Sequence, residues 1–485
     1  MSKNYAIQTY GCQMNESDSE RIAGLLESSG LTRTHEVEEA DVIVINTCCI
    51  RENADNRFYG HLGNLKKLKE NDPSMRIMVG GCLAQKDQQL IRDRAPHVDV
   101  VFGTHNLERV NELLLESKKG PIVEILEPTP YDLDDLGSEP LPTRREVDHS
   151  AWLTIQSGCD NSCAFCIVPQ VRGPEVSRPF ADLVNEAKRL VKDGVFEITL
   201  LGQNVNSYGR DITLKLRNQS PSNEDIALAG ARWSTDRRRS ASPLFADLLQ
   251  EVGSVPGLRR VRYTSPHPKD LRENVMIAMA QTESVCEHLH FPMQSGSDEV
   301  LAAMHRGYSS QRYLDKLSKA REIIPDLAVT TDIIVGFPGE TERNFEDTLE
   351  VVASAQFDGA FTFIFSPRPG TEAAQMQDKY CTKEEVQVRY TRLREVIRRS
   401  GLLKHQERVG RREEIIVEGP SKKDDSLFTG RTRQNKVIHF PAVDLPIGTI
   451  AIARAEKAKP TYLLGNLVEI IEKPKVKTRI PVVAG

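Results

Sequence analysis

Short apolar runs alternate with longer amphipathic stretches along most of the chain, and the rhythm changes twice. Between residues 3 and 118 the runs "NYAIQTY", "DVIVINT" and "RIMVGG" are separated by polar-faced stretches of helical period. That is the pattern of βαβ units around a parallel sheet. Six further strand-like runs follow at 151–158, 195–202, 259–265, 288–293, 327–335 and 359–365. Helical stretches separate them at about 180–193, 243–254, 268–282, 310–324 and 341–355, with another at 383–404 after the last strand. Six successive parallel βα units predict an incomplete TIM-like (β/α)6 barrel. From residue 413 the chain breaks into five short β-like stretches, "EEIIVEG", "LFTGRTRQ", "KVIHF", "TIAIARA" and "TYLLGNLVEI", punctuated by Gly, Pro and Asp. Five such strands predict a small OB-like β-barrel. The fold class is therefore multidomain α/β, with a parallel-sheet domain over 1–120, a barrel domain over 150–400 and a β-barrel over 404–473.

Three segments depart from this alternation. Pro121 to His149 is proline-rich and acidic, with Pro128, Pro130, Pro140 and Pro142 among Asp132, Asp134, Asp135 and Glu139, and reads as a linker over 121–149. Residues 210–242 are polar and aperiodic and read as a loop insertion with the composition of a disordered segment. Arg389 to Arg412 is rich in Lys and Arg, which fits either a solvated helix face or an approach to a polyanion.

Composition narrows the setting. A chain of 485 residues exceeds one ordinary domain. No apolar run approaches the roughly 18 residues of a membrane span, and the N-terminus lacks the apolar core of a signal peptide. A cytosolic protein without membrane contact is expected, and in that compartment clustered cysteines point to metal rather than disulfide. The formal net charge of −5 excludes a global nucleic-acid signature, so such binding must come from local patches. One candidate lies in the last barrel, where Arg431, Arg433, Lys436, Lys457 and Lys459 are interleaved with Phe428, His439, Phe440 and Tyr462. Cations for phosphates beside rings for stacking are what binders of single-stranded RNA use.

The cysteines carry the chemistry. "SGCDNSCAFCIVPQVRG" places Cys159, Cys163 and Cys166 in a polar loop directly after the first barrel strand, with no fourth ligand nearby. A structural zinc closes its tetrahedron with four ligands, whereas three thiolates on a cubane cluster leave one iron open for a ligand. Zinc with a distant fourth ligand and buried apolar thiols are the alternatives. In the N-terminal domain each of three strands delivers a cysteine at its carboxyl end: Cys12, Cys48 with Cys49, and Cys82. Parallel sheets bind ligands at that edge. Together these read as a second three-thiolate site, with Cys48 the better ligand of its pair.

The spacing C-x3-C-x2-C on this loop resembles the radical S-adenosylmethionine superfamily. The whole chain, apart from 210–242, is similar to its methylthiotransferase family: an N-terminal three-cysteine domain, a radical barrel and a C-terminal TRAM domain. "NTCCIR", "GCDNSCAFCIVP" and "RGPEVSRP" look like family-wide signatures, and "LGQNVNSYG" and "QSGSD" like the branch acting on prenylated tRNA. The resemblance implies a 4Fe-4S cluster on Cys159, Cys163 and Cys166 that cleaves S-adenosylmethionine, and an auxiliary 4Fe-4S cluster on Cys12, Cys48 and Cys82 that carries the incoming sulfur. It implies that Phe165, Gln203 and Asp332 help seat the cofactor, while no catalytic side chain is identified. The expected reaction is methylthiolation of isopentenyl-adenosine beside the tRNA anticodon. Methylthiolation of threonylcarbamoyl-adenosine in tRNA, or of a ribosomal-protein aspartate, are the alternatives. A reductant such as flavodoxin or ferredoxin and an unidentified sulfur donor are implied, and a monomer is expected.

Overall fold

The computed structural model describes residues 3–49, 52–127, 141–218 and 222–474. The linker prolines Pro128, Pro130 and Pro140 and its acidic residues Asp132, Asp134, Asp135 and Glu139 lie outside the described residues, as do Ile50 and Arg51 of "NTCCIR".

The first unit is a six-stranded parallel sheet of β1 (Asn4–Tyr10), β2 (Thr32–Arg33), β3 (Val42–Thr47), β4 (Arg76–Gly80), β5 (Val100–Phe102) and β6 (Ile122–Glu124), in the order β2-β1-β3-β4-β5-β6. β3 reads as an unbroken apolar run because both of its faces are covered. Ile43 and Ile45 pack with Val79 in one apolar layer, and Val42 and Val44 with Met78 in the other. β6 lies inside the stretch expected to be linker and extends the sheet by one strand instead.

The second unit opens with β7 (Ser150–Thr154), then a short antiparallel pair, β8 (Gln156–Ser157) and β9 (Val176–Ser177). The parallel strands continue as β10 (Glu197–Leu201), β11 (Arg260–Tyr263), β12 (His288–His290), β13 (Ala328–Val335) and β14 (Gly359–Ile364). They pair as β7-β10-β11 and β12-β13-β14, and a parallel bridge from Val261 to Val285 joins the two groups. Helices Phe180–Lys192, Phe245–Gly253, Glu273–Gln281, Ser310–Ile323 and Glu342–Ala355 cover the outside, as the six βα repeats predict. On β13, Val329, Ile333 and Val335 are buried, while Thr330, Asp332 and Ile334 are half-buried on the opposite face.

Residues 210–218 and 222–242 are not a loop. They form helices Arg210–Leu216, Asn223–Ala229 and Ala231–Thr235, and Ile212, Leu216, Leu228, Ala229 and Trp233 join the barrel's main apolar core. Ser222 and Asp225 cap the second helix reciprocally, and the buried Asp225 pairs with Arg239 at 2.6 Å. Sparse apolar residues at helical spacing were enough to dock the insertion, although its composition reads as disordered.

The third unit is a closed barrel of β15 (Arg412–Pro420), β16 (Leu427–Thr432), β17 (Val437–Pro441), β18 (Ile450–Ala458) and β19 (Leu463–Glu472), in the order β15-β16-β17-β19-β18. Helix Lys383–Gln406 leads into it. Among the described residues no helix is long and apolar enough to cross a membrane.

Candidate active site: two cysteine triads

β1, β3 and β4 are adjacent and in parallel register, Tyr10 facing Thr47 and Asn46 facing Gly80. Cys12, Cys48 and Cys82 follow these strands by one or two residues and therefore emerge side by side at one sheet edge. Cys48 lies within hydrogen-bonding reach of both Cys12 and Cys82. The contact with Cys48 draws Cys12 down to about 7 and holds Cys82 well below the usual thiol range, while Cys48 itself is pushed up. Cys49 reaches Cys82 but is fully buried and packs with Phe58 and Leu62 in the apolar layer. Asn15 and Asn46, both fully buried, floor the site. Asn15 Nδ2 donates to Asn46 Oδ1 at 3.1 Å, Asn46 Nδ2 donates to the Asn15 carbonyl at 2.8 Å, and Cys12 Sγ donates to Asn15 Oδ1 at 3.4 Å. Gly81 adopts φ +92°, and a Cβ there would meet Asn46 Oδ1 at 2.3 Å and the Thr47 carbonyl oxygen at 2.6 Å. Only glycine allows the turn that presents Cys82.

The second triad comes from a single loop whose base is closed by the β8–β9 pair, Gln156 facing Ser177. Gly158 has φ +78°, and a Cβ there would lie 1.8 Å from the Pro174 carbonyl oxygen. The Cys159 amide donates to the Gly173 carbonyl at 3.1 Å and the Cys166 amide to the Cys163 carbonyl at 3.0 Å. All three cysteines are half-buried. Burial pushes the Cys166 thiol up to about 12 and raises Cys159. Nitrogen donors meet the sulfurs: Asn161 N to Cys159 at 3.5 Å, and Arg306 Nη1 to Cys163 at 3.3 Å. Among the described residues no group of His, Cys, Asp or Glu converges on a single-ion site. Thiolates that each bind a different iron do not have to converge. The residues present fit such a group at both triads: three thiols at one edge or loop, with Cys49 packed away in the apolar layer, N–H donors or buried amides around the sulfurs, and a glycine where a Cβ would obstruct.

The two triads are bolted together. Helix Val168–Arg172, two residues after Cys166, packs into the N-terminal domain, with Ile167 and Val171 in its apolar layer and the Val171 carbonyl accepting from Thr104 Oγ1 at 2.8 Å. Arg172 forms a buried ion pair with Asp18 at 2.7 Å and lies beside Cys82 and Cys12.

Of the residues expected to seat the cofactor, Phe165 lies within the cysteine loop and Gln203 and Asp332 lie on other segments of the barrel domain. Phe165 packs against the apolar cluster that holds Val300, Met304 and Phe337. Gln203 follows β10, and its Oε1 is buried without a partner. Asp332, on the half-buried face of β13, pairs with His290 Nε2 at 3.3 Å. Phe361 stands opposite Asp332 on β14, 60% exposed, its ring 6.0 Å from that of His290. Other partnerless buried atoms gather with Gln203 at this end: Gln156 Oε1, both amide atoms of Asn206 and His267 Nε2. His267 Nδ1 accepts from the Lys269 amide at 3.2 Å, so Nε2 carries the proton, and burial lowers its pKa to about 2. Glu175, pushed up to about 7 by burial, accepts from Ser207 Oγ at 2.5 Å. Arg172, Arg306, Glu175 and His267 were not singled out in the sequence, although "RGPEVSRP" contains two of them.

The RNA-facing residues divide. Arg433 pairs with Glu287 of the barrel domain at 2.7 Å, and Lys436 pairs with Asp358 at 2.5 Å with both side chains buried. Arg431 pairs with Glu418 at 2.5 Å, and Phe440 is a core residue. These four do not form a free RNA surface: the first two clamp the β-barrel to the barrel domain, and the buried Asp358 there needs a counter-charge. Lys457 is exposed, and Lys459, Phe428, His439 and Tyr462 are half-buried, with the His439 and Tyr462 rings 5.1 Å apart. In the basic helix, Arg389 is buried against Glu340 at 3.2 Å, and just beyond its end Arg408 is buried against Glu413 at 2.6 Å.

Comparison with known proteins divides the chain as the fold does. Residues 4–103 match the Uncharacterized protein family UPF0004, 153–352 the Radical SAM superfamily and 406–468 the TRAM domain. The tRNA-2-methylthio-N(6)-dimethylallyladenosine synthase of Saccharopolyspora erythraea is 47% identical over 96% of this chain and 90% of its own. That of Salinispora arenicola is 48% identical over 99% of this chain and 90% of its own. Among solved structures, the radical S-adenosylmethionine methyltransferase TsrM from Kitasatospora setae, bound to tryptophan and an analogue of S-adenosylmethionine, has the same fold. It aligns with TM-score 0.52 at 12% identity over 77% of this chain and 75% of its own.

Proposed function

The chain belongs to the tRNA-2-methylthio-N(6)-dimethylallyladenosine synthase family of radical S-adenosylmethionine enzymes, and we propose that its two cysteine triads divide the reaction between them. Cys159, Cys163 and Cys166 would hold one 4Fe-4S cluster, with Phe165, Gln203 and Asp332 seating S-adenosylmethionine. Cys12, Cys48 and Cys82 would hold the second. Bound there, these groups would supply a carbon radical able to break an unactivated C–H bond, and a methylated sulfur for insertion at that carbon.

The remaining work falls to the chain's own residues. Asn161 donates to the Cys159 sulfur and Arg306 to the Cys163 sulfur, so each of these positions faces an N–H group. The buried amides of Asn15 and Asn46 hold the first triad at its sheet edge. His267, fixed as a neutral Nε2–H donor, keeps that buried donor free of a protein partner just beyond the third barrel strand. Phe361 offers an exposed apolar face beside Asp332. The substrate is isopentenyl-adenosine beside the tRNA anticodon, held by the TRAM barrel through Lys457, Lys459 and the His439–Tyr462 ring pair. Electrons would come from a low-potential donor such as flavodoxin or ferredoxin, and sulfur from a donor the fold does not identify; a monomer suffices.

The observation that carries this reading is the presence of two separate sets of three thiols, joined through one short helix, with Cys49, the neighbour of the first set, turned into the apolar layer. Burying a five-carbon prenyl group at about 25 cal/mol per Å2 supplies several kcal/mol of preference for modified adenosine. The reconstituted enzyme, given unmodified, prenylated and threonylcarbamoylated anticodon stem-loops, is expected to methylthiolate only the prenylated one. Product on the threonylcarbamoylated loop alone, or on a ribosomal protein alone, would refute it.

A further inference from the structure

Arg172 links the two triads physically. It ends the helix that begins two residues after Cys166, yet its side chain is buried in the other domain, 6% exposed. Its partner Asp18, 7% exposed, lies 2.7 Å away on helix Gln13–Ser28, which begins directly after Cys12. The guanidinium lies beside Cys82 and Cys12. The contact is braced by Ser17 Oγ against Thr154 Oγ1 at 3.3 Å and by Thr104 on the Val171 carbonyl. A buried ion pair is poor value for stability, since apolar residues of the same volume serve as well or better. Its presence here calls for a use.

We propose that Arg172, oriented by Asp18, is a positioning residue that sets the reduction potential of the group held by Cys12, Cys48 and Cys82. The inference rests on the reading of that triad as a cluster site. The potential of a thiolate-bound cluster depends on the net charge and hydrogen bonding around its sulfurs. A cation beside two of three thiolates favours the more negative, reduced form and raises the potential. Asp18 tempers the cation. The two residues therefore act in opposite senses, although both belong to one structural contact. Because Arg172 arrives on the segment that follows the other triad, the potential of the sulfur-carrying site depends on docking of the barrel domain.

The test uses the full chain with Cys159, Cys163 and Cys166 replaced by alanine, reconstituted anaerobically with iron and sulfide so that one cluster remains, and titrated electrochemically. R172M is expected to shift the midpoint downward and D18N upward, each with the iron content of the parent. A residue that merely braces the interface would leave the midpoint unmoved, or move it in the same direction in both variants; either result overturns the inference. If R172M assembles no cluster, the near-isosteric D18N decides alone: an upward shift supports the assignment and an unchanged midpoint overturns it. Absence of iron from the parent variant would refute the cluster site itself, and this inference with it.

Discussion

The two triads solve one problem from opposite starting points. The first gathers cysteines from three segments at the edge of a sheet, so that its sulfurs touch one another and rest on buried amides. The second takes three cysteines from one loop, and its sulfurs meet nitrogen donors rather than each other. Each has a glycine at positive φ one residue before a cysteine, and each has one buried arginine beside a sulfur. The arginines differ in their partners. Arg172 is paired with a carboxylate, whereas Arg306 donates to the Tyr308 hydroxyl and the Pro292 carbonyl. Local spacing suffices to gather three thiols on one loop, whereas thiols drawn from three segments need the edge of a sheet to meet, and one short helix fixes the junction between the two sets.

The comparison breaks most sharply by removing one triad at a time. Replacing Cys159, Cys163 and Cys166 by alanine is expected to abolish both cleavage of S-adenosylmethionine and methylthio product. Replacing Cys12, Cys48 and Cys82 is expected to abolish product while 5′-deoxyadenosine still forms, as chromatography of the reaction mixture will show.

Next in size are the glycines. Gly158→Ala places a methyl 1.8 Å from a carbonyl oxygen. It is expected to remove cofactor cleavage and spare the first triad's iron. Gly81→Ala is expected to do the reverse, read by iron analysis and cleavage assay on the same samples.

The third body gives a smaller, graded effect. Lys436→Ala leaves Asp358 buried and unpaired, and is expected to destabilise the docked TRAM barrel by about 3–5 kcal/mol in thermal or denaturant unfolding. Removing Lys457 and Lys459 together is expected to leave stability unchanged and to flatten the plot of log K against log salt for tRNA by up to about two units of slope. The smallest effect is expected from Cys49→Ala: a loss of about 1 kcal/mol in stability with full iron, because its thiol fills the apolar layer behind the ligands.

What could be read from the sequence followed the same divide. The C-x3-C-x2-C loop announces itself by spacing, and the first triad by three apolar strands that each end in a cysteine. The six barrel strands were legible because their period is strong and helices separate them. Arg433 and Lys436 misled because a cation clamping a domain interface and a cation awaiting phosphate look alike along a chain. Only Glu287 and Asp358, far away in sequence, tell them apart. Residues 210–242 misled for the converse reason: Leu216, Leu228 and Trp233 are too few to dominate the composition, yet they suffice once a barrel offers them a surface. Arg172 sat within a quoted motif, but its partner Asp18 belongs to another domain, and no local pattern could pair them.

The most direct test of the two-site arrangement is a count of metal. The full chain and the two triple-alanine variants would be purified and reconstituted anaerobically, then analysed for iron, acid-labile sulfide and zinc. Two independent 4Fe-4S sites require each variant to keep about half the iron and sulfide of the full chain, with no zinc. Full iron in either variant, loss of all iron from either one, or zinc in place of iron would contradict it.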